Sequence, residues 1–299
     1  MDYAAAYRRS VADRDVFWRE QATRIDWHQP FDQVCDYSQA PMAKWFVGGQ
    51  TNLCHNAVDR HVPAHPDQPA LIHVSTETGK EQVLSFGQLH VEVQRMAAVL
   101  QSMGVSKGDR VLIYMPMIPQ AVIAMLATVR IGAIHCVVFG GFASQALASR
   151  IDDACPTVIV TADAGSRGGK VIPYKPLLDE ALKLSTHKVS HVVLVNRGLA
   201  PAEMITPRDV DYALARKLHM DAMVPCEWVE STHPSYILYT SGTTGKPKGV
   251  QRDTGGYAVA LAASMEHIYQ GKSGETFFSA SDIGWVVGHS YIVYGPLLA

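Results

Sequence analysis

The residues best suited to chemistry lie in one segment, residues 239–249, which reads YTSGTTGKPKG. A short apolar run, SYILY, leads into this segment, and the segment itself holds small hydroxyl side chains, three glycines and two lysines. Glycines let a backbone approach an anion closely, hydroxyl groups donate hydrogen bonds to its oxygens, and lysines add positive charge. The segment therefore predicts a loop that binds the phosphates of a nucleoside triphosphate.

This loop differs from the phosphate-binding loop of the kinase-like P-loop NTPases. Only two residues separate Gly242 from Gly245, where that motif has four, and Pro247 rather than Ser or Thr follows Lys246. Pro247 lacks a backbone N–H and favours an extended backbone at Lys246, so no helix begins directly behind the lysine. The spacing disfavours a P-loop NTPase.

The elements that must position this loop alternate along the chain. Short apolar runs predict buried strands at residues 70–75, 110–115, 133–139, 157–163, 191–196, 235–241 and 276–282. Between most of them lie helical patterns, at residues 120–131, 144–154 and 256–269, and in a helix that starts at Ser85 with Gln88 completing a capping box. Short apolar strands separated by helices indicate an α/β fold, with a parallel or mixed sheet covered on both faces.

Composition excludes several classes of partner. The chain is 47% hydrophobic and 18% charged, with a formal net charge of −2, so no strong field attracts nucleic acid or an anionic membrane. The most apolar stretch, residues 111–139, is interrupted by Pro116, Pro119 and Arg130, whereas a membrane span needs about 20 apolar residues in succession. We expect a cytoplasmic protein without nucleic-acid or membrane partners.

The cysteines and histidines predict no metal site. The five cysteines are scattered and form no C-x-x-C pair, which disfavours both a disulfide framework and a structural zinc site. His61 and His65 have helical spacing, but Pro63 interrupts that helix and no third ligand is evident.

Several motifs together resemble one enzyme family. YTSGTTGKPKG resembles the phosphate-loop signature of the adenylate-forming superfamily, which includes acyl-CoA synthetases. The string SDIGWVVGHSY at residues 281–291, the RGGK string at residues 167–170 and the opening MDYAAAYRRS are similar to the short-chain branch, which activates acetate and propionate. The resemblance covers essentially the whole chain, and it favours propionate over acetate as the acid.

The resemblance implies where ATP binds. The residues that would grip its β- and γ-phosphates are Thr240, Ser241, Gly242, Thr243, Thr244, Gly245, Lys246 and Lys248. Lys246 and Lys248 would also act in catalysis, because their charge would stabilise the departing pyrophosphate.

The resemblance also implies sites for CoA and for the acid. Arg167, Gly168, Gly169 and Lys170 would contact the 3′-phosphate end of CoA. Trp285, Val286 and Val287 would form one wall of the acyl pocket, and Val287 would contact CoA as well. Acetate enzymes tend to have Thr at the position of Val287, so a hydrogen bond from that position to CoA is absent here. We interpret His289 as a packed structural residue.

Composition and the resemblance together predict the organisation of the chain. Residues 1–60 form an N-terminal helical and extended segment, and residues 61–299 form the first part of the large N-terminal, AMP-binding domain of the adenylate-forming fold, with mixed sheets flanked by helices. We expect this domain to be truncated before the C-terminal domain that carries the adenylation lysine. The implied substrates are ATP with Mg²⁺, CoA and a short acid, and the chain alone is expected to be inactive. A non-catalytic nucleotide- or CoA-binding fragment is the alternative.

Overall fold

The computed structural model describes residues 3–240 and 247–299. Its strands are β1 (Gln33–Gln39), β2 (Met42–Val47), β3 (Gln50–Thr51), β4 (Pro69–Ser75), β5 (Lys80–Ser85), β6 (Arg110–Tyr114), β7 (Ile134–Val137), β8 (Val158–Ala162), β9 (Ala164–Arg167), β10 (Lys170–Pro173), β11 (His191–Val195), β12 (Asp209–Asp211), β13 (Val229–Glu230), β14 (Pro234–Thr240) and β15 (Lys248–Asp253). Its α-helices are α1 (Tyr3–Ala12), α2 (Arg14–Gln21), α3 (Leu53–Ala57), α4 (Phe86–Ser102), α5 (Pro119–Arg130), α6 (Ser144–Ala154), α7 (Tyr174–Leu184), α8 (Tyr212–Leu218), α9 (Gly255–His267), α10 (Val286–Gly288) and α11 (Gly295–Leu298). A π-helical segment, His289–Tyr294, joins α10 to α11, and 3₁₀ turns occur at Ala22–Arg24 and Asp59–His61.

A seven-stranded sheet forms the centre of the molecule, with the strand order β12-β11-β8-β6-β7-β14-β15. The first six strands in this order are parallel to one another, and β15 runs antiparallel to β14 at one edge. The mixed sheet flanked by helices that the sequence predicts is confirmed.

Strand β6 shows why both faces of this sheet are covered. Val111 and Ile113 belong to one hydrophobic core, which also contains α4, α5 and α9. Leu112 and Tyr114 belong to a second core, with α6 and α7. Successive strand residues point to opposite faces, so a strand of consecutive apolar residues needs helices on both sides.

The helix predictions are confirmed closely. Ser85 caps α4: its hydroxyl accepts the Gln88 N–H, and the Gln88 side chain accepts the Ser85 N–H. Helix α6 spans Ser144–Ala154, as predicted, and α5 and α9 lie within two residues of their predicted bounds. The signals are local here, because caps and apolar spacing act within a few turns.

One prediction from the apolar pattern is wrong. Residues 276–282 form no strand but an irregular segment, in which Phe278 is 86% exposed. The apolar letters there have no partner strand, and Asp282 instead accepts a local hydrogen bond from the Gly284 N–H at 2.7 Å. The N-terminal segment holds two helices, α1 and α2, followed by the antiparallel β1–β2 hairpin.

The N-terminal segment shares the main core. Val34 and Phe46 are almost fully buried, in the same cluster as residues of α4 and α5. The domain division at residue 60 stays a prediction.

Candidate functional site

Four neighbouring strands end at one edge of the sheet, and two of the candidate residues, Arg167 and Thr240, lie beyond or at these ends. Pro116 lies after β6, Phe139 after β7 and Arg167 after β8, while Thr240 ends β14. The chain passes from β6 to β7 on one side and then to β8 on the other, so its direction reverses at β6. Open α/β sheets bind ligands at the carboxyl ends of their strands, next to such a reversal. The topology therefore places the candidate site at this edge.

The predicted phosphate loop connects β14 to β15, and β14 ends at this edge. Thr240 and Lys248 are cross-strand partners and face each other at the base of the loop, with the Lys248 side chain exposed. The other predicted phosphate ligands, Ser241, Gly242, Thr243, Thr244, Gly245 and Lys246, lie outside the described residues. The described part of the site thus presents one hydroxyl and one ammonium group side by side.

The strand that leads into the loop is fixed to helix α6. The Tyr239 hydroxyl donates a hydrogen bond to Asp153 Oδ2 at 2.6 Å, and the Arg150 guanidinium lies 5.2 Å from the centre of the Tyr239 ring. Burial and then this hydrogen bond raise the pKa of Tyr239, so the hydroxyl stays protonated and donating. The first residue of the motif is therefore anchored to α6.

The RGGK residues form the tip of the β9–β10 hairpin. Gly168 and Gly169 both have positive φ, the conformation that a two-residue hairpin turn requires. Arg167 and Lys170 are cross-strand partners on either side of this turn, and both are exposed. The structure therefore brings the two predicted CoA-binding cations together.

Arg167 lies at the rim of a cavity of about 440 Å³ at the carboxyl edge of the sheet. Its guanidinium carbon is 5.7 Å from the centre of the Phe139 ring. A Cβ at Gly141 would lie 2.8 Å from Arg167 Nη1, so the missing side chain leaves room for the guanidinium. The cavity also contains Tyr174 and Asp282.

Apart from Arg167, the residues that line this cavity were not predicted from the sequence. Phe139, Gly140 and Gly141 directly follow a buried strand, and two glycines at that position are a signal of close backbone approach that could have been used. Burial and the nearby carboxylates of Asp282 and Glu77 raise the pKa of Tyr174 to about 12, so it lines the cavity as a neutral group.

The three residues predicted for the acyl wall point in different directions. The Trp285 ring lies 5.6 Å from the Phe139 ring, on the side of the CoA candidates. Val286 lines another cavity, of about 340 Å³, with Trp18, Tyr257 and others. Val287 is 48% exposed and is not among the described residues that line either cavity. Trp285 precedes the short helical segment that begins at Val286, and the three side chains have different neighbours in this structure. The acyl assignment stays a prediction.

His289 packs among other rings. It is fully buried, with its ring 5.1 Å from that of His135 and 4.9 Å from that of Tyr236. Burial lowers its pKa to about 3, so the ring is neutral near pH 7 and a weak base. These contacts favour a packing role over a catalytic one.

Among the described residues, one group of side chains has metal-ligating chemistry. Ligand atoms of Cys54, Asp59 and Cys226 lie within 4.8 Å of one another. The buried Arg130 guanidinium, however, donates to Asp59 Oδ2 at 2.8 Å and lies 3.6 Å from Cys54 Sγ. A cation already neutralises the carboxylate, so we interpret this group as an ion-pair network.

In the part of the chain that the structure describes, no helix combines the length and apolarity of a membrane span.

Asp253, beside the second cavity, should make stability depend on pH. The backbone N–H groups of Gly256 and Tyr257 donate to it, but burial dominates and raises its pKa to about 6. The unfolded chain loses this proton near pH 4 and the folded chain near pH 6, so stability falls as the pH rises between these values. Asp253→Asn keeps an acceptor and removes the charge. We expect it to stabilise the protein by about 1–3 kcal/mol at pH 8, measured by thermal or urea unfolding.

A matched control is the exposed Asp221, whose replacement by Asn should leave the stability difference between pH 4 and pH 8 unchanged. A lower stability of the Asp253→Asn variant at pH 8 would show that the ionised carboxylate stabilises the fold.

Two family models together match nearly the entire chain. The model described as "AMP-binding enzyme" matches residues 58–299, and the one described as "Acetyl-coenzyme A synthetase N-terminus" matches residues 3–57. The chain belongs to the AMP-binding enzyme family. The family prediction made from the phosphate loop and the RGGK string is confirmed.

Individual members of the family are similar over the whole chain. The propionate–CoA ligase of Salmonella typhimurium is 61% identical over 299 residues, which is 100% of this chain and 48% of that protein. An acetyl-coenzyme A synthetase of Methylobacterium radiotolerans is 47% identical, covering 99% of this chain and 46% of that protein. The acetoacetyl-CoA synthetase of Streptomyces lividans has a similar structure, with a TM-score of 0.90, 30% identity, and coverage of 99% of this chain and 45% of that one. The chain thus spans about half the length of these relatives.

Proposed function

We propose that the protein containing this chain is an AMP-forming propionate–CoA ligase. The observation that carries this proposal is the 61% identity to a propionate–CoA ligase across all 299 residues. The placement of Thr240, Lys248 and Arg167 at one edge of the sheet supports it, because a ligase needs ATP phosphates and CoA close to one acid.

The proposed reaction has two steps. A carboxylate oxygen of propionate attacks the α-phosphorus of ATP, supplied as its Mg²⁺ complex, and the bond to pyrophosphate breaks. The CoA thiol loses its proton and attacks the carbonyl carbon of propionyl-AMP, and AMP leaves as propionyl-CoA forms. Both steps depend on positioning and on stabilising developing negative charge.

The residues of this chain would act mainly on phosphates. Residues 240–246 and Lys248 bind the β- and γ-phosphates, and the two lysines stabilise pyrophosphate as it leaves. Arg167 and Lys170, with the Gly168–Gly169 turn between them, bind the 3′-phosphate of CoA at the rim of the 440 Å³ cavity. Trp285, Val286 and Val287 contribute to the acyl pocket, and Val287 also contacts CoA.

Acetate is the alternative acid, because an acetyl-coenzyme A synthetase is 47% identical over the same residues. A non-catalytic binding fragment would fit the chain alone, whose length is about half that of its relatives. The proposed location is the cytoplasm, and the proposed partners are small molecules only.

Acyl-CoA formation by the full-length gene product and by residues 1–299 alone tests this proposal. We expect the full-length gene product to convert propionate, ATP and CoA to propionyl-CoA and AMP. Residues 1–299 alone should form none, because they span about half of the relatives' length. Chromatographic detection of AMP and acyl-CoA measures both reactions. Absence of product from the full-length protein, or rapid product formation by residues 1–299, would contradict the corresponding expectation.

A further inference from the structure

The hairpin that carries Arg167 stands apart from the central sheet. Strands β9 and β10 form their own two-stranded sheet, with Arg167 and Lys170 at its exposed tip. An isolated two-stranded hairpin is marginally stable in water. The direction of the Arg167 side chain therefore depends on contacts that the hairpin makes with other segments.

Two side chains from distant segments supply these contacts. Glu77, in the turn between β4 and β5, accepts a hydrogen bond through Oε1 from the N–H of Ser166, the residue before Arg167. Arg197, after β11, donates through Nη1 to the carbonyl oxygen of Ala164 at 2.9 Å, at the base of the hairpin. Glu77 and Arg197 also form an ion pair with each other, and both side chains are largely buried.

Arg197 is itself held by the central sheet. The Asp163 carboxylate is fully buried just after β8. It accepts hydrogen bonds from the backbone N–H of Arg197 at 3.0 Å and from the backbone N–H of Leu199 at 2.7 Å. The link therefore runs from the carboxyl end of a central strand through Arg197 and Glu77 to Ser166. Each step in this link is a hydrogen bond with at least one charged group, the stronger class of hydrogen bond.

We infer that Glu77 and Arg197 are positioning residues for CoA binding, and that they act through Arg167. This inference rests on the proposed function of the hairpin as a phosphate-binding site. Glu77 gives the Ser166 N–H the acceptor that a neighbouring strand would otherwise provide. Arg197 neutralises Glu77, which lines the same cavity as Arg167 and would otherwise repel a phosphate.

Binding of CoA and of 3′-dephospho-CoA to the full-length gene product tests the inference. The dissociation constant of 3′-dephospho-CoA divided by that of CoA isolates the contact with the 3′-phosphate, and a larger ratio means a stronger contact. Glu77→Ala should reduce this ratio about fivefold to tenfold, the effect of losing one hydrogen bond that orients the cation. Glu77→Gln keeps an acceptor for Ser166 and should leave the ratio within about threefold of the native value.

Two further measurements separate positioning from other roles. If Glu77 acts through Arg167, then Glu77→Ala combined with Arg167→Ala should discriminate no worse than Arg167→Ala alone, because effects on one contact are not additive. The thermal unfolding midpoint of each variant checks that the fold is intact. If Glu77 acted only as a repelling charge, then Glu77→Ala and Glu77→Gln would both increase the ratio, which would overturn the inference.

The failure of the inference differs from the failure of the proposed function. A native protein that binds CoA and 3′-dephospho-CoA equally would remove the phosphate-binding role of the hairpin, and the inference with it. A native protein that discriminates, together with an unchanged ratio in folded Glu77→Ala, would overturn only the positioning role.

Discussion

Lys248→Ala should slow formation of the acyl-adenylate about a hundredfold in the full-length protein, because removing one preorganised group from a developing negative charge typically costs about 3 kcal/mol. Lys248 begins β15 and faces Thr240 across the base of the phosphate loop, so its backbone is fixed by a strand pair before ATP arrives. The second step involves no pyrophosphate, and transfer from preformed propionyl-AMP to CoA should therefore keep nearly its native rate. Single-turnover measurements of each step give both numbers.

Lys183→Ala is the matched control for this experiment. Lys183 is an exposed lysine of α7, with its side chain 75% exposed, and its replacement should change neither step. Equal slowing of both steps in Lys248→Ala would contradict a specific role in adenylation and would indicate a general disturbance of the site.

Propionate should be preferred to acetate by about 10–200-fold in kcat/KM, the range that one methylene group provides in an apolar pocket. Two of the residues predicted for the acyl pocket, Val286 and Val287, are wholly aliphatic. Val287→Thr should reduce the preference, because it adds a hydroxyl that loses water when an acyl chain packs against it. Steady-state kinetics with the two acids measure the preference.

Val83→Thr provides a matched control for Val287→Thr. Val83 lies on β5 and is 51% exposed, close to the 48% of Val287. In the sequence, it is far from the residues predicted for the acyl pocket. It should leave the preference unchanged. Equal or better use of acetate by the native protein would replace propionate with acetate in the proposed function and would leave the adenylation chemistry in place.

The central strands could be predicted because they are buried on both faces. Strand β6, for example, has four buried residues in succession, and the amino-acid sequence alone shows such an apolar run. Strand β15 was missed because it lies at the edge of the sheet, with the sequence KGVQRD and five exposed residues out of six. Residues 276–282 have the opposite character, since their apolar letters lie in an exposed irregular segment. Apolar runs in a sequence indicate burial. An edge strand is defined instead by its backbone hydrogen bonds to the neighbouring strand, which an apolar pattern does not show.

The candidate site divides in a similar way. The predicted phosphate loop and the RGGK turn are each continuous in sequence, so motif and spacing were sufficient to propose them. Glu77 is 89 residues from Ser166 and 120 residues from Arg197, and the contacts between them arise only from the strand order. The divergent directions of Trp285 and Val286 were also not visible, because they depend on a short helical segment that begins at Val286.

Acid-dependent exchange of labelled pyrophosphate into ATP tests the central claim most directly. Exchange requires a reversible attack of a carboxylate on the α-phosphorus, and it requires no CoA. The full-length gene product should catalyse exchange with propionate, should show none without an acid, and should lose about a hundredfold in rate on Lys248→Ala. Formation of ADP and phosphate, or exchange that does not depend on any acid, would contradict adenylate formation at this loop.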